Sequence, residues 1–244
     1  MCRTGQKGKK VSKDLSCIII QSNYIPWKGY FDGISKADVF VVYDDMQYTK
    51  QDWRNRNLIK TFQGLKWITI PVNGSGKFGQ KINETSIAKS SWINSHLDII
   101  KANYSKAPFF KEVWPWLEEL YRTADFTFLT EVNLHFISGI MKVLQISTDV
   151  RLSSDFRLEG EKTERLVNLC LEMGIKKYLS GPAAKAYLDE SLFQNQNIEV
   201  EYLDYSAYPE YSQLFPPFEH GVSILDMFLN LGFEGTKMKM KYVS

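Results

Sequence analysis

The hydrophobic pattern opens with a short isoleucine-rich run at 15–21, too brief for a helix, which predicts a buried strand. A short helix at 29–37 and a second apolar strand at 38–44 follow with short joints, the pattern of a parallel βαβ unit with a right-handed crossover. Residues 65–72 alternate in part and meet Pro71, so they predict a strand ending at that proline. The period then becomes helical. Helices are predicted at 92–103, at 108–122 with Pro115 kinking or splitting the helix, and at 126–145. A strand at 148–152, a helix at 161–173 closed by Gly174, a strand at 176–180, a helix start at 182–188 and a strand at 198–203 give a second βαβ unit. A last helix at 222–231 is expected to end at Gly232. The whole predicts one α/β domain over 15–244, a Rossmann-like, mostly parallel sheet with a helical insert at about 92–145.

Composition narrows the class. With 44% apolar and 14% aromatic residues the chain can build a sizeable core, and a net charge of +2 gives no reason to expect a polyanionic partner. Part of the positive charge sits in the first 14 residues (Arg3, Lys7, Lys9, Lys10, Lys13), which lack apolar periodicity and read as a flexible basic tail. That tail is either a nucleic-acid or membrane contact or an extension without a role. No apolar run approaches a membrane span, and a cytoplasmic location is expected. Cys2, Cys17 and Cys170 are too scattered for a disulfide frame or a zinc knuckle. The GSGK of the loop at 73–80 fails the phosphate-loop pattern, since Pro71 stands where the first glycine belongs and Phe78 follows Lys77. It reads better as a mobile loop able to close over a substrate. The sequence indicates no metal and names no cofactor.

Groups able to do chemistry gather between Ile18 and Asn57. The loop after the first strand carries Gln21, Tyr24, Trp27 and Tyr30. The second strand ends in Asp44 and Asp45, and Gln47, Lys50, Trp53, Arg54, Arg56 and Asn57 follow. Open α/β sheets place ligands outside the carboxyl ends of their strands, so these two turns are expected to close over one shared pocket. Neighbouring strand residues face opposite ways, so at most one of the two aspartates faces a given ligand unless the strand has turned. Either is a general base, a hydroxyl acceptor or a metal ligand, or else a turn-forming residue. Arg54 and Arg56 alternate with asparagines, which would put both on one strand face beside Lys50 and Trp53. That suits a phosphate and a stacked base or sugar, or a solvated hairpin. His96 shares a helix face with Trp92 and Ile100 and is either a proton carrier or a satisfied core residue. Ser180 and Gly181 fall at a strand end, Pro182 suits a first helical position, and Lys185 adds charge. This is an anion site or an ordinary turn.

The segments QSNYIPWKGYF, ADVFVVYDDMQYTKQDWRNRN and WITIPV resemble the opening of the WbqC-like proteins. The tryptophan–histidine–tyrosine spacing leading to APFF, the segment YLSGPAAKAYL and the closing SQLFPPF…VSILDMFLNLG are similar too. Ser22 departs from the pattern, where proline tends to follow the glutamine. The resemblance implies an enzyme of bacterial surface-polysaccharide biosynthesis that transfers glycine or a similar acyl group to the amine of a nucleotide-linked sugar. The activated donor would be an adenylate, a carrier thioester or an aminoacyl-tRNA. Such chemistry needs a base and, for a nucleotide-linked substrate, holders for phosphate, besides donors for the developing oxyanion. His96, Asp45 and Asp44 are candidates for the first, and Arg54, Arg56 and Lys185 for the second. The alternative is a non-catalytic sugar-nucleotide-binding or pathway-scaffold protein.

Overall fold

The computed structural model describes residues 14–74, 76 and 78–243. The basic tail to Lys13, and Ser75 and Lys77 of the glycine-rich loop, lie outside the described residues. The central sheet has five strands: β1 (Ser16–Ile20), β2 (Val39–Val42), and later β5 (Asp149–Leu152), β6 (Lys177–Ser180) and β7 (Glu199–Tyr202). Their order is β5-β2-β1-β6-β7, and every pairing is parallel. The fold is therefore α/β and Rossmann-like, as expected. Between β2 and β5 the chain forms an antiparallel hairpin, β3 (Arg56–Thr61) and β4 (Gly64–Thr69), then the helices α2 (Trp92–Tyr104), α3 (Phe110–Arg122) and α4 (Leu129–Val143).

The unbroken SCIII of β1 follows from burial on both faces of the sheet. Ile18, Phe40, Val42 and Leu179 face the larger core, shared with α1 (Lys28–Lys36), α2, α3, α4 and α7 (Ile224–Lys239). Cys17, Ile19, Val41 and Tyr178 face a smaller one built on Val167, Leu169 and Cys170 of α5 (Lys162–Glu172) and on Phe193 of the short α6 (Glu190–Gln194). Alternation along each strand sorts its side chains between the two layers.

Several elements differ from the sequence reading. Pro115 does not divide α3, which runs through it although the proline cannot donate to the Lys111 carbonyl. Residues 182–186 form a 3-10 turn rather than the start of an α-helix. Gly232 does interrupt the last helix (φ 73, ψ 178), but a second helical run continues from it to Lys239. A side chain there would meet Phe109 at 2.7 Å, so the kink and the close approach both require glycine.

Candidate functional site

The chain leaves β1 toward β2 on one side and returns beside it as β6 on the other, so the two neighbours of β1 are reached in opposite directions. Such a switch point leaves a crevice at the carboxyl ends of the strands. A cavity of about 650 Å³ occupies it here. Gln21, Asn23, Trp27 and Tyr30 come from the turn after β1 and the first turns of α1, Tyr43 and Met46 from the end of β2, and Tyr178 and Gly181 from β6 and its exit. Arg54 enters from the segment before β3, and Lys162, Thr163, Arg165 and Leu166 from the first turn and a half of α5.

The two turns do meet. Tyr24 N–H donates to the Trp53 carbonyl (3.0 Å), and the Asn57 amide donates to the carbonyls of Tyr24 and Ile25 (2.9 Å each). Asn57 thereby holds Ile25 at φ 37, a left-handed conformation costly for a β-branched residue. From below, α4 clamps both turns. Asn133 donates to Ser22 Oγ and to the Arg54 carbonyl (2.9 Å each), and Thr130 Oγ1 donates to Asp44 (2.6 Å). Gly29 completes the loop, since a Cβ there would lie 2.3 Å from the Trp27 ring. Trp27 instead folds back and packs edge-on against Tyr205, with ring centres 5.0 Å apart.

The cavity wall is aromatic and cationic. Arg54, Lys162 and Arg165 line it, and among the described lining residues there is no carboxylate and no imidazole. Arg54 donates to the Asn23 side chain and lies 3.7 Å from Asp52. Arg165 donates to the Gly160 carbonyl (3.0 Å) and sits beside Tyr43. Burial pushes the Tyr43 hydroxyl up, and the Arg165 guanidinium opposes that shift. α5 opens without a side-chain cap, so its first N–H groups add positive potential on the same side. The set suits an anionic ligand carrying a ring or a sugar.

Only part of the anticipated set surrounds this space. Gln21, Trp27, Tyr30, Arg54 and Gly181 line it. Ser180 is buried one residue before Gly181. Tyr24 and His96 lie in the core instead. His96 is 3% exposed, with Nδ1 2.8 Å from the Tyr24 hydroxyl and Nε2 3.2 Å from the Thr69 carbonyl, and burial pulls its pKa down to about 4. Asp44 is fully engaged by Ser22 N–H (2.7 Å), Ser22 Oγ (2.6 Å) and Thr130, and burial raises its pKa. Asp45 points the other way, to Ser153 (2.7 Å), Lys81 (3.2 Å) and Asn83 (3.3 Å). Arg54 and Arg56 do not share a face. Arg54 precedes β3 and turns into the cavity, while Arg56 begins β3 and lies 4.1 Å over the Trp67 ring. Gln47 and Lys50 are exposed, and Lys185 is exposed over Tyr202 at 4.8 Å. Trp53 and Asn57 line a neighbouring, smaller hollow.

Sequence reasoning passed over Lys162 and Arg165, which look like ordinary surface charges on an amphipathic helix until the sheet order is known. It also passed over Thr130 and Asn133, although polar residues inside the most apolar helix are themselves a signal. Lys28 was missed as well. It is 2% exposed, its amine lies 3.1 Å from His220 Nδ1, and burial draws its pKa down to about 8. Among the described residues no helix is long and apolar enough to cross a membrane, and no cluster of histidine, cysteine and carboxylate side chains is placed to hold a metal ion.

A doubly wound α/β protein with an aromatic, cationic cavity at its switch point is the class defined by this geometry. The WbqC-like protein family matches residues 21–238, and the chain belongs to that family. It is 49% identical to the uncharacterized Mycobacterium tuberculosis protein Rv1507c over 216 residues, 88% of this chain and 94% of the relative. No solved structure matches it.

Proposed function

We propose that the protein binds a nucleotide-linked amino sugar in the switch-point cavity and acylates its amine, with glycine or a similarly small acyl group. The observation that carries this reading is the lining itself: three cations and a set of aromatic rings with no carboxylate among them, around about 650 Å³. A diphosphate suits Arg54, Arg165, Lys162 and the open start of α5, while base and sugar suit the rings of Trp27, Tyr187 and Tyr205. Family membership supports the sugar-nucleotide context through the resemblance described above. With His96, Asp44 and Asp45 engaged elsewhere, the wall contributes orientation of the amine against an activated carbonyl rather than a strong base.

That same lack of an acid–base pair in the lining favours a second reading, a binding module without turnover. Calorimetry against a panel of nucleoside-diphosphate amino sugars tests the common part. Arg165→Ala is expected to weaken binding tenfold to a hundredfold, about 1.4–2.8 kcal/mol. Absence of binding by every member of the panel overturns both readings. Incubation of a bound sugar nucleotide with activated glycine, followed by mass spectrometry, then separates them. A product heavier by one glycyl group supports acylation, and unchanged mass with intact binding supports the module.

A further inference from the structure

A second hollow of about 290 Å³ lies against the first and shares Asn23 and Trp27 with it. Pro26, Trp53, Asn57 and Gly221 complete its wall, so two indoles, a proline ring and two carboxamides face a small, mostly apolar space. Trp53 is held in place. Asp52 accepts from its N–H (2.7 Å) and from Thr49 (2.6 Å), and its ring packs at 4.9 Å on Trp67, which carries the Arg56 guanidinium. At the shared wall Asn23 accepts from the Arg54 guanidinium, which faces the larger cavity. Indole faces suit a planar base, and Arg54 at the shared wall supplies a cation for its phosphate.

We infer that this hollow takes the adenosine phosphate end of an activated acyl donor, while the sugar nucleotide fills the larger cavity. The inference rests on the acyl-transfer reading for the identity of the second substrate. Two substrates must bring their reacting atoms within about 3.5 Å of each other. Two compartments with a common wall at Asn23 and Trp27 allow that meeting. In the transfer the sugar amine attacks the acyl carbon and a C–N bond forms. The bond from that carbon to the donor's phosphate oxygen or thiolate sulfur breaks, that atom keeps the electron pair, and the amine proton passes to water. Acyl-adenylates and coenzyme A thioesters share the adenosine phosphate. A pantetheine arm on a carrier protein has no ring for the indoles.

The test is calorimetric titration of the whole protein with AMP and, separately, with coenzyme A. Wild type is expected to bind at least one of them, with tighter binding of coenzyme A pointing to a thioester donor and tighter binding of AMP to an adenylate. Trp53→Ala is expected to lose tenfold or more in affinity, Trp53→Phe to recover much of it, and Arg165→Ala to bind as wild type. Trp53 is 38% exposed, so its removal opens no core cavity, and the thermal midpoint of each variant checks folding. Failure of both probes to bind, an unchanged affinity in Trp53→Ala, or a loss in Arg165→Ala equal to that in Trp53→Ala overturns the inference. The amino-sugar titrations are expected to depend on Arg165, which lines the larger cavity, and not on Trp53, which does not, so either assignment can fall while the other stands.

Discussion

His96 shows how environment decides the role of a residue. The Thr69 carbonyl can only accept, so Nε2 carries the proton, and Nδ1 accepts from Tyr24, whose hydroxyl in turn meets Tyr121 at 2.5 Å. Both ring nitrogens of His96 and the Tyr24 hydroxyl thus have partners, and burial keeps the imidazole neutral. Its folded pKa of about 4 lies below the ordinary 6.5, so between those values the unfolded chain binds the extra proton. The stability linked to His96 is therefore fully present above pH 6.5 and is lost as pH falls toward 4. Denaturant unfolding of wild type and His96→Gln should show a difference in pH slope confined to that window. Equal slopes would mean that His96 titrates in the native state as it does in the unfolded chain. The same engagement explains why sequence could not settle this residue. A histidine one turn from Trp92 fits a proton carrier and a core anchor equally well, and only its two partners separate them.

At the scale of elements, α4 organises a site it does not line. Thr130 and Asn133 reach from its buried face to the turns after β1 and β2 and fix them side by side. Asn133→Ala should destabilise the fold by about 1–3 kcal/mol, because the Arg54 carbonyl loses its buried partner. It should also weaken sugar-nucleotide binding although it removes no group from the cavity wall. A full loss of stability with unaltered affinity would confine α4 to packing. The apolar period predicted this helix well. The partners of its two polar residues lie 86 positions away for Thr130 and 79 and 111 for Asn133, beyond any local pattern.

In the whole molecule, the sheet order places the first turns of α1 and of α5 on one crevice. A ligand of that crevice bound only by the native state should raise stability by about 2.7 kcal/mol at a hundredfold excess over its dissociation constant. Arg165→Ala should reduce that gain in thermal-shift measurements at the same concentration. The sequence by itself determined the βαβ units, the buried strands and the loop rich in ligand-type groups between Ile18 and Asn57. Those depend on local period and on residue types whose effects act within a few positions. Tertiary structure alone decided which of those groups share a space. Arg54 and Arg56 stand two residues apart yet part company, because one precedes a strand and the other begins it. Arg165 joins Arg54 from far along the chain because β6 returns beside β1. Pairing of distant strands, the burial of His96 and Asp44, and the opening of α5 onto the crevice are properties of the packed chain, in which distance in space replaces distance along the sequence.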